Sequence, residues 1–163
     1  MILRCTARLM KLLAGRGGLP VEAPPGVDDW YGHLFVVERR KCLVLVHADT
    51  LFSVIDTDVR VAQLDDLGIY LATRIIDALA SEGLPGGTLG PTDPSKLQVA
   101  KTASRSVLGH INEIILDAQY AIEDAGGLQH ANLHVINHEI RTRLRGRDGN
   151  YVIPLELATE RST

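Results

Sequence analysis

Lys101-Thr-Ala-Ser-Arg105-Ser106 is the segment of this 163-residue chain best suited to chemistry on an anion. An apolar run, Leu97 to Ala100, leads into it and a long amphipathic pattern follows. It therefore reads as a strand end passing into a helix start. The first N–H groups of a helix lack partners and its dipole is positive there, which attracts phosphate or carboxylate. Lys101 and Arg105 add charge, while Thr102, Ser104 and Ser106 add hydroxyl donors. The same serines also suit a plain helix cap. The glycines that cradle phosphates in a Walker loop are missing, so the segment is not a P-loop.

Two further groups of residues have chemical potential. Glu38-Arg39-Arg40-Lys41 falls between two β-branched runs. At a hairpin tip, Arg39 and Arg40 suit bidentate contact with phosphate, and equally an ordinary solvated turn. Arg4 is a third helper for the Lys101–Ser106 segment. His130, His134 and His138 recur at steps of four, which on a helix would align them along one flank. His-x3-His can hold zinc or another divalent metal if His110, Glu113 or Asp117 completes the set. That row supplies the one cofactor the sequence offers. No Gly-x-Ser-x-Gly elbow is present, and Cys42 sits within an apolar run, as inert thiols do. A site using His47 or His110 beside Lys101 and Arg105 is conceivable, but no spacing selects a reaction.

The bulk numbers bound these readings. A hydrophobic share of 45% and a charged share of 23% are those of a globular protein, and the length suits a single domain over residues 1–163. Net charge is −3, so any polyanion site is a local patch on a mildly acidic body. Aromatics make up 4% of residues, too few for a base-stacking platform. Trp30 and Tyr31 read as core edge. Cys5 and Cys42 are widely spaced and each lies in an apolar run, which indicates two buried thiols in a reducing compartment. No run reaches the ~18 apolar residues of a membrane span. A soluble cytoplasmic protein with no membrane partner is expected.

The elements that must position the candidate residues follow from periodicity. Met1 to Cys5 reads as a strand, and Thr6 caps a short helix over 7–14. Residues 15–29 form a Gly- and Pro-rich loop. Residues 30–37 and 41–46 make a hairpin, with 50–55 a third strand or an irregular segment on the sheet. Val61, Leu64, Leu67, Leu71, Ile75 and Leu79 place a helix over 58–82, which Gly83 and Pro85 stop. Residues 96–100 are a strand, with helices over 105–125 and 129–144. Residues 151–157 read as an edge strand because of Pro154, and the last six residues as frayed. The order predicts an α+β fold, a mostly antiparallel sheet with a hairpin, covered by three to four helices on one face.

Several of these segments together resemble a family of small bacterial domains of unknown function. The carriers are Met1-Ile-Leu-Arg-Cys-Thr6, Asp29-Trp-Tyr31, Arg39-Arg-Lys-Cys42, Thr50-Leu-Phe-Ser53 and Lys101-Thr-x-x-Arg-Ser-Val-Leu-Gly109. The likeness covers about residues 1 to 140, and its last string is the most specific part. In that family asparagine is more frequent than serine at the position of Ser104. The resemblance implies a free-standing prokaryotic protein and brings no activity with it.

The expected function is binding of an anionic small molecule, a nucleotide or a nucleic-acid phosphate, by Lys101, Thr102, Arg105 and Ser106. An interaction module is the alternative, such as an immunity or antitoxin component or a homodimer. The acidic pI, about 6.0, suits a basic protein partner. A third reading is an enzyme acting on phosphoesters or nucleic acid, metal-assisted through the histidine row.

Overall fold

The computed structural model describes all residues, 1–163, and builds one five-stranded sheet between two layers of helix. In chain order the elements are β1 (Ile2–Cys5), α1 (Ala7–Leu13), β2 (Trp30–Val37), β3 (Arg40–His47) and β4 (Ser53–Asp56). Then come α2 (Leu67–Ser81), β5 (Gln98–Lys101), α3 (Arg105–Asp124) and α4 (Leu133–Arg141). The chain ends in a small hairpin, β6 (Arg145–Arg147) and β7 (Asn150–Val152), followed by α5 (Pro154–Arg161). Short 3₁₀ turns precede α2 and β5.

The strand order is β4-β3-β2-β1-β5. β1 lies parallel to both β2 and β5, while β2, β3 and β4 pair antiparallel. The class is α+β and the sheet is mixed. Helices cover both faces rather than one. Trp30, Leu34, Leu43, Leu45 and Val54 pack on α1, α2 and α5, whereas Tyr31, Phe35, Val44, Val46 and Ile55 pack on α3 and α4. A strand buried on both faces is a continuous apolar run, and Cys42-Leu-Val-Leu-Val46 is one.

Both sheet edges are covered, which prevents strand addition by another chain. At β4 the Asn137 carboxamide accepts from Ile55 N at 2.8 Å and donates to Ile55 O at 3.0 Å, and Arg141 Nε donates to Ser53 O at 2.8 Å. Arg141 also stacks over Phe52 and pairs with the Glu82 carboxylate. At β5 the loop 20–25 runs alongside, with Val21 N donating to Val99 O at 2.8 Å.

Helix boundaries follow their caps. α2 starts at Leu67, because Asp66 accepts from Ile69 N, rather than near Asp58. Asn132 accepts from Val135 N and so starts α4 at Leu133. The segment expected as a terminal strand is split. Only residues to Val152 pair, and Pro154 opens α5, where its missing N–H is no loss. The last residues are anchored rather than frayed: Arg161 bonds Asp28 and Asp49, and Asp49 also takes Arg147.

Beneath that network lies His47, fully buried and edge-on to Trp30. Its Nδ1 accepts the Thr50 N–H at 3.3 Å, which leaves the proton on Nε2, and Nε2 has no hydrogen-bond partner. Burial first, then the Arg161 guanidinium, holds its pKa down at about 4 against the opposing pull of Asp28, Asp49 and Asp29. His47 is therefore neutral at pH 7, and its 3.9 Å approach to Asp28 is not then an ion pair.

Because the folded pKa is depressed, the unfolded chain binds the proton first. Stability from a neutral His47 is full above pH 6.5 and is lost as pH falls through 4. That loss is about 3 kcal/mol, and a His47→Asn variant lacks most of it. Urea denaturation of both proteins between pH 7 and pH 4 measures the difference; parallel pH dependences would refute this account of His47.

Candidate functional site

At the carboxyl ends of β1 and β5 the chain departs to opposite faces. β1 passes into α1 on one side of the sheet and β5 into α3 on the other. In open sheets with parallel strands this divergence leaves a crevice between the two exits, where ligands bind. The two exits carry matching residues: Cys5-Thr6-Ala7 and Lys101-Thr102-Ala103 are aligned, with Cys5 opposite Lys101. Each strand ends at a helix cap. Thr6 accepts from Leu9 N at 3.4 Å and Ser104 from Val107 N at 3.2 Å. At α3 the N–H groups of Arg105 and Ser106 are left free.

The crevice has two lobes that share Pro20, Lys101 and Thr102. One, of about 550 Å³, lies against α1 and takes in Cys5, Ala7, Met10, Lys11 and Pro20. The other, of about 380 Å³, includes Arg4, Glu22 and Ala103. Gly32 lets α1 sit this close, because a Cβ there would stand 2.7 Å from the Leu9 side chain. Lys101 and Arg105 are exposed, Thr102 is half-buried, and neither cation has a carboxylate partner. Burial pushes the Cys5 thiol up to about 12, so it contributes an uncharged, apolar wall.

The sequence-derived residues are distributed as follows. Lys101 and Thr102 line both lobes of this crevice, while Arg105 and Ser106 follow at the start of α3 and line neither. Arg4 is adjacent but is buried and spent: Nε donates to Asp29 at 2.5 Å, Nη1 to Lys101 O, and Nη2 to Ala23 O and Pro24 O. Arg39 and Arg40 do not join it. The β2–β3 turn is Glu38-Arg39, both at positive φ (49° and 66°), a conformation that favours glycine. The Glu38 carboxylate accepts from Leu128 N, just beyond the far end of α3. A 20-residue helix, ~30 Å long, thus separates Arg105 from that tip.

The histidine row is broken because α4 begins at Leu133, so His130 lies in the preceding turn. His138 bonds Glu82 at 2.8 Å, and His134 lines a separate hollow at the β4 edge. Glu113 and Asp117 face Arg145 and Arg143. No three His, Cys, Asp or Glu side chains converge to hold a metal.

Lys11 and the pair Thr6–His33 escaped the sequence reading. Ala7, Met10 and Lys11 share one helix face by spacing, which was the available signal. Thr6 Oγ1 lies 2.7 Å from His33 Nδ1, a contact set by the β1–β2 register that no linear pattern shows. Burial, then the Arg8 guanidinium, holds His33 below its ordinary pKa and neutral at pH 7. A hydroxyl bonded to a neutral imidazole is the arrangement proton transfer requires.

Fold and crevice together define a small α+β domain with a basic hollow at a strand divergence point. The chain belongs to the DUF6933 family, a domain of unknown function, whose pattern matches residues 2–157. A search of curated proteins gave no match.

Replacing Arg4 tests its assignment as a structural group. Arg4→Met leaves Asp29 buried and unpaired and lowers stability by about 3–5 kcal/mol in chemical denaturation. Arg4→Lys does not restore it, since one ammonium cannot span the four acceptors. An Arg4→Met protein of wild-type stability would reassign Arg4 to ligand binding.

Proposed function

We propose that this domain binds an anionic ligand, a phosphate-bearing small molecule above all, in the crevice between the ends of β1 and β5. One observation carries the reading. Ten of the 17 Lys and Arg residues form ion pairs with carboxylates. Of the seven that do not, Lys101 and Lys11 line the larger lobe of this crevice and Arg105 opens α3 four residues after Lys101, whereas Arg39 and Lys41 lie at the β2–β3 turn. Two unneutralised cations from different elements thus face one lobe at the ends of β1 and β5. No carboxylate lines the larger lobe. A phosphate there would accept from Lys101, Lys11 and the Thr102 hydroxyl.

Thermal unfolding against phosphate, mononucleotides and short oligonucleotides checks this. At a hundred times its dissociation constant a ligand adds about 2.7 kcal/mol, a rise of roughly 5–10 °C for a chain this size. The shift should vanish in Lys101→Ala/Arg105→Ala while the unliganded melting point stays nearly unchanged. A flat response to all anions, or one retained in the double variant, would refute the reading.

A second reading, hydrolysis of an anionic ester, rests on Thr6–His33. Water adds to the phosphorus or carbonyl carbon, His33 takes its proton and returns one to the departing alkoxide, and alcohol and acid are released. If so, a panel of phosphate and carboxylate esters is cleaved at a rate that falls at least 100-fold in His33→Gln, with ligand affinity retained. Equal rates in the two proteins would leave binding as the function.

A further inference from the structure

Resting on the anion-binding reading, we propose that the ligand is amphipathic: a single phosphate or carboxylate head on a short aliphatic body, seated in the lobe between α1 and the ends of β1 and β5. Size is the first reason. A free inorganic anion occupies a small fraction of about 550 Å³, whereas that volume lies within the range of small-organic-ligand sites. Lining chemistry is the second. Apart from the cations and Thr102, the wall is Cys5, Ala7, Met10 and Pro20. The uncharged Cys5 thiol behaves as a small hydrophobe, and Met10 is unbranched and adapts to the shape of what it covers. The butyl stems of Lys11 and Lys101 extend the apolar surface while their ammonium groups reach solvent.

Polarity within the crevice orients the ligand. Glu22 lines the second lobe and repels an anionic head, so the head belongs on the Lys11 side of Lys101 and the body lies along Met10. No aromatic ring lines either lobe, which removes the stacking surface on which a nucleobase is usually held. An aliphatic body is therefore favoured over a base.

A homologous series measures this on the unmodified protein. Calorimetric titration with n-alkyl phosphates from methyl to octyl, below their micellar concentrations, should give dissociation constants falling about fourfold per added methylene until the lobe is full. Matching alkyl carboxylates should run parallel. Ala7→Leu, at an exposed helix position in the wall of the lobe, occupies part of that space and flattens the dependence on chain length. Lys101-dependent phosphate binding with no chain-length effect would overturn the amphipathic ligand and leave the anion site standing. Tighter binding of mononucleotides than of octyl phosphate would do the same. Capture by anionic phospholipid vesicles without binding of monomeric octyl phosphate would overturn it in favour of surface attachment. No response to any anion would remove the underlying reading as well.

Discussion

Burying a guanidinium in an interior strand of a sheet imposes a demand that shapes everything around it. A charge removed from water must be paired, and each donor nitrogen needs an acceptor. Arg4 stands on β1, between β2 and β5, with almost no exposure. Its acceptors come from Asp29 just before β2, from Ala23 and Pro24 in the long loop, and from Lys101 at the end of β5. Asp29 in turn accepts the Gly26 N–H at 2.9 Å and so curls the loop beneath the strand end. One side chain thus fixes where the loop runs and where β5 stops. The second lobe of the crevice is the space left between those parts.

Charge is handled differently in two parts of the fold. At the end where β2 begins, Asp28 and Asp49 meet Arg161 and Arg147, and the network ties α5 and the small β6–β7 hairpin to the body over a buried, neutral His47. Asp49 feels burial raising its pKa, but hydrogen bonds from Arg147 and Arg161 outweigh this and hold it below the usual carboxylate value. Glu82 behaves likewise between Arg141 and His138. These charges are mutually satisfied and have a structural role. Where β1 and β5 stop, the cations Lys101 and Lys11 lack such partners.

Much of this was legible in one dimension, and the exceptions have physical causes. The apolar stripes of α2 and α3, the Thr6 cap and the stop at Gly83 are local properties, and a linear reading finds them. The Lys101–Ser106 segment was found the same way, because strand end, cation and cap are adjacent in sequence. The placement of helices on both faces was also written in the chain, in the unbroken apolar run of β3, whereas element order alone does not distinguish one covered face from two. α5 was hidden by Pro154, which suits a helix start as well as an edge strand. The regular histidine spacing misled because it assumed an uninterrupted helix through His130. Lys11, Thr6 and His33 act through neighbours that only the strand register supplies.

The free cations at the crevice are informative because the chain as a whole is acidic. With net charge −3 there is a surplus of carboxylates, and most arginines have found one. Lys101 and Arg105 lie close in sequence, and α1 brings Lys11 to the lobe that Lys101 lines, with no carboxylate among the lining residues. Folding alone gains nothing from this grouping, since like charges in proximity oppose it. An anionic head placed between Lys101 and Lys11 would supply the partner that the fold does not. The arrangement is consistent as half of an interaction whose other half carries negative charge.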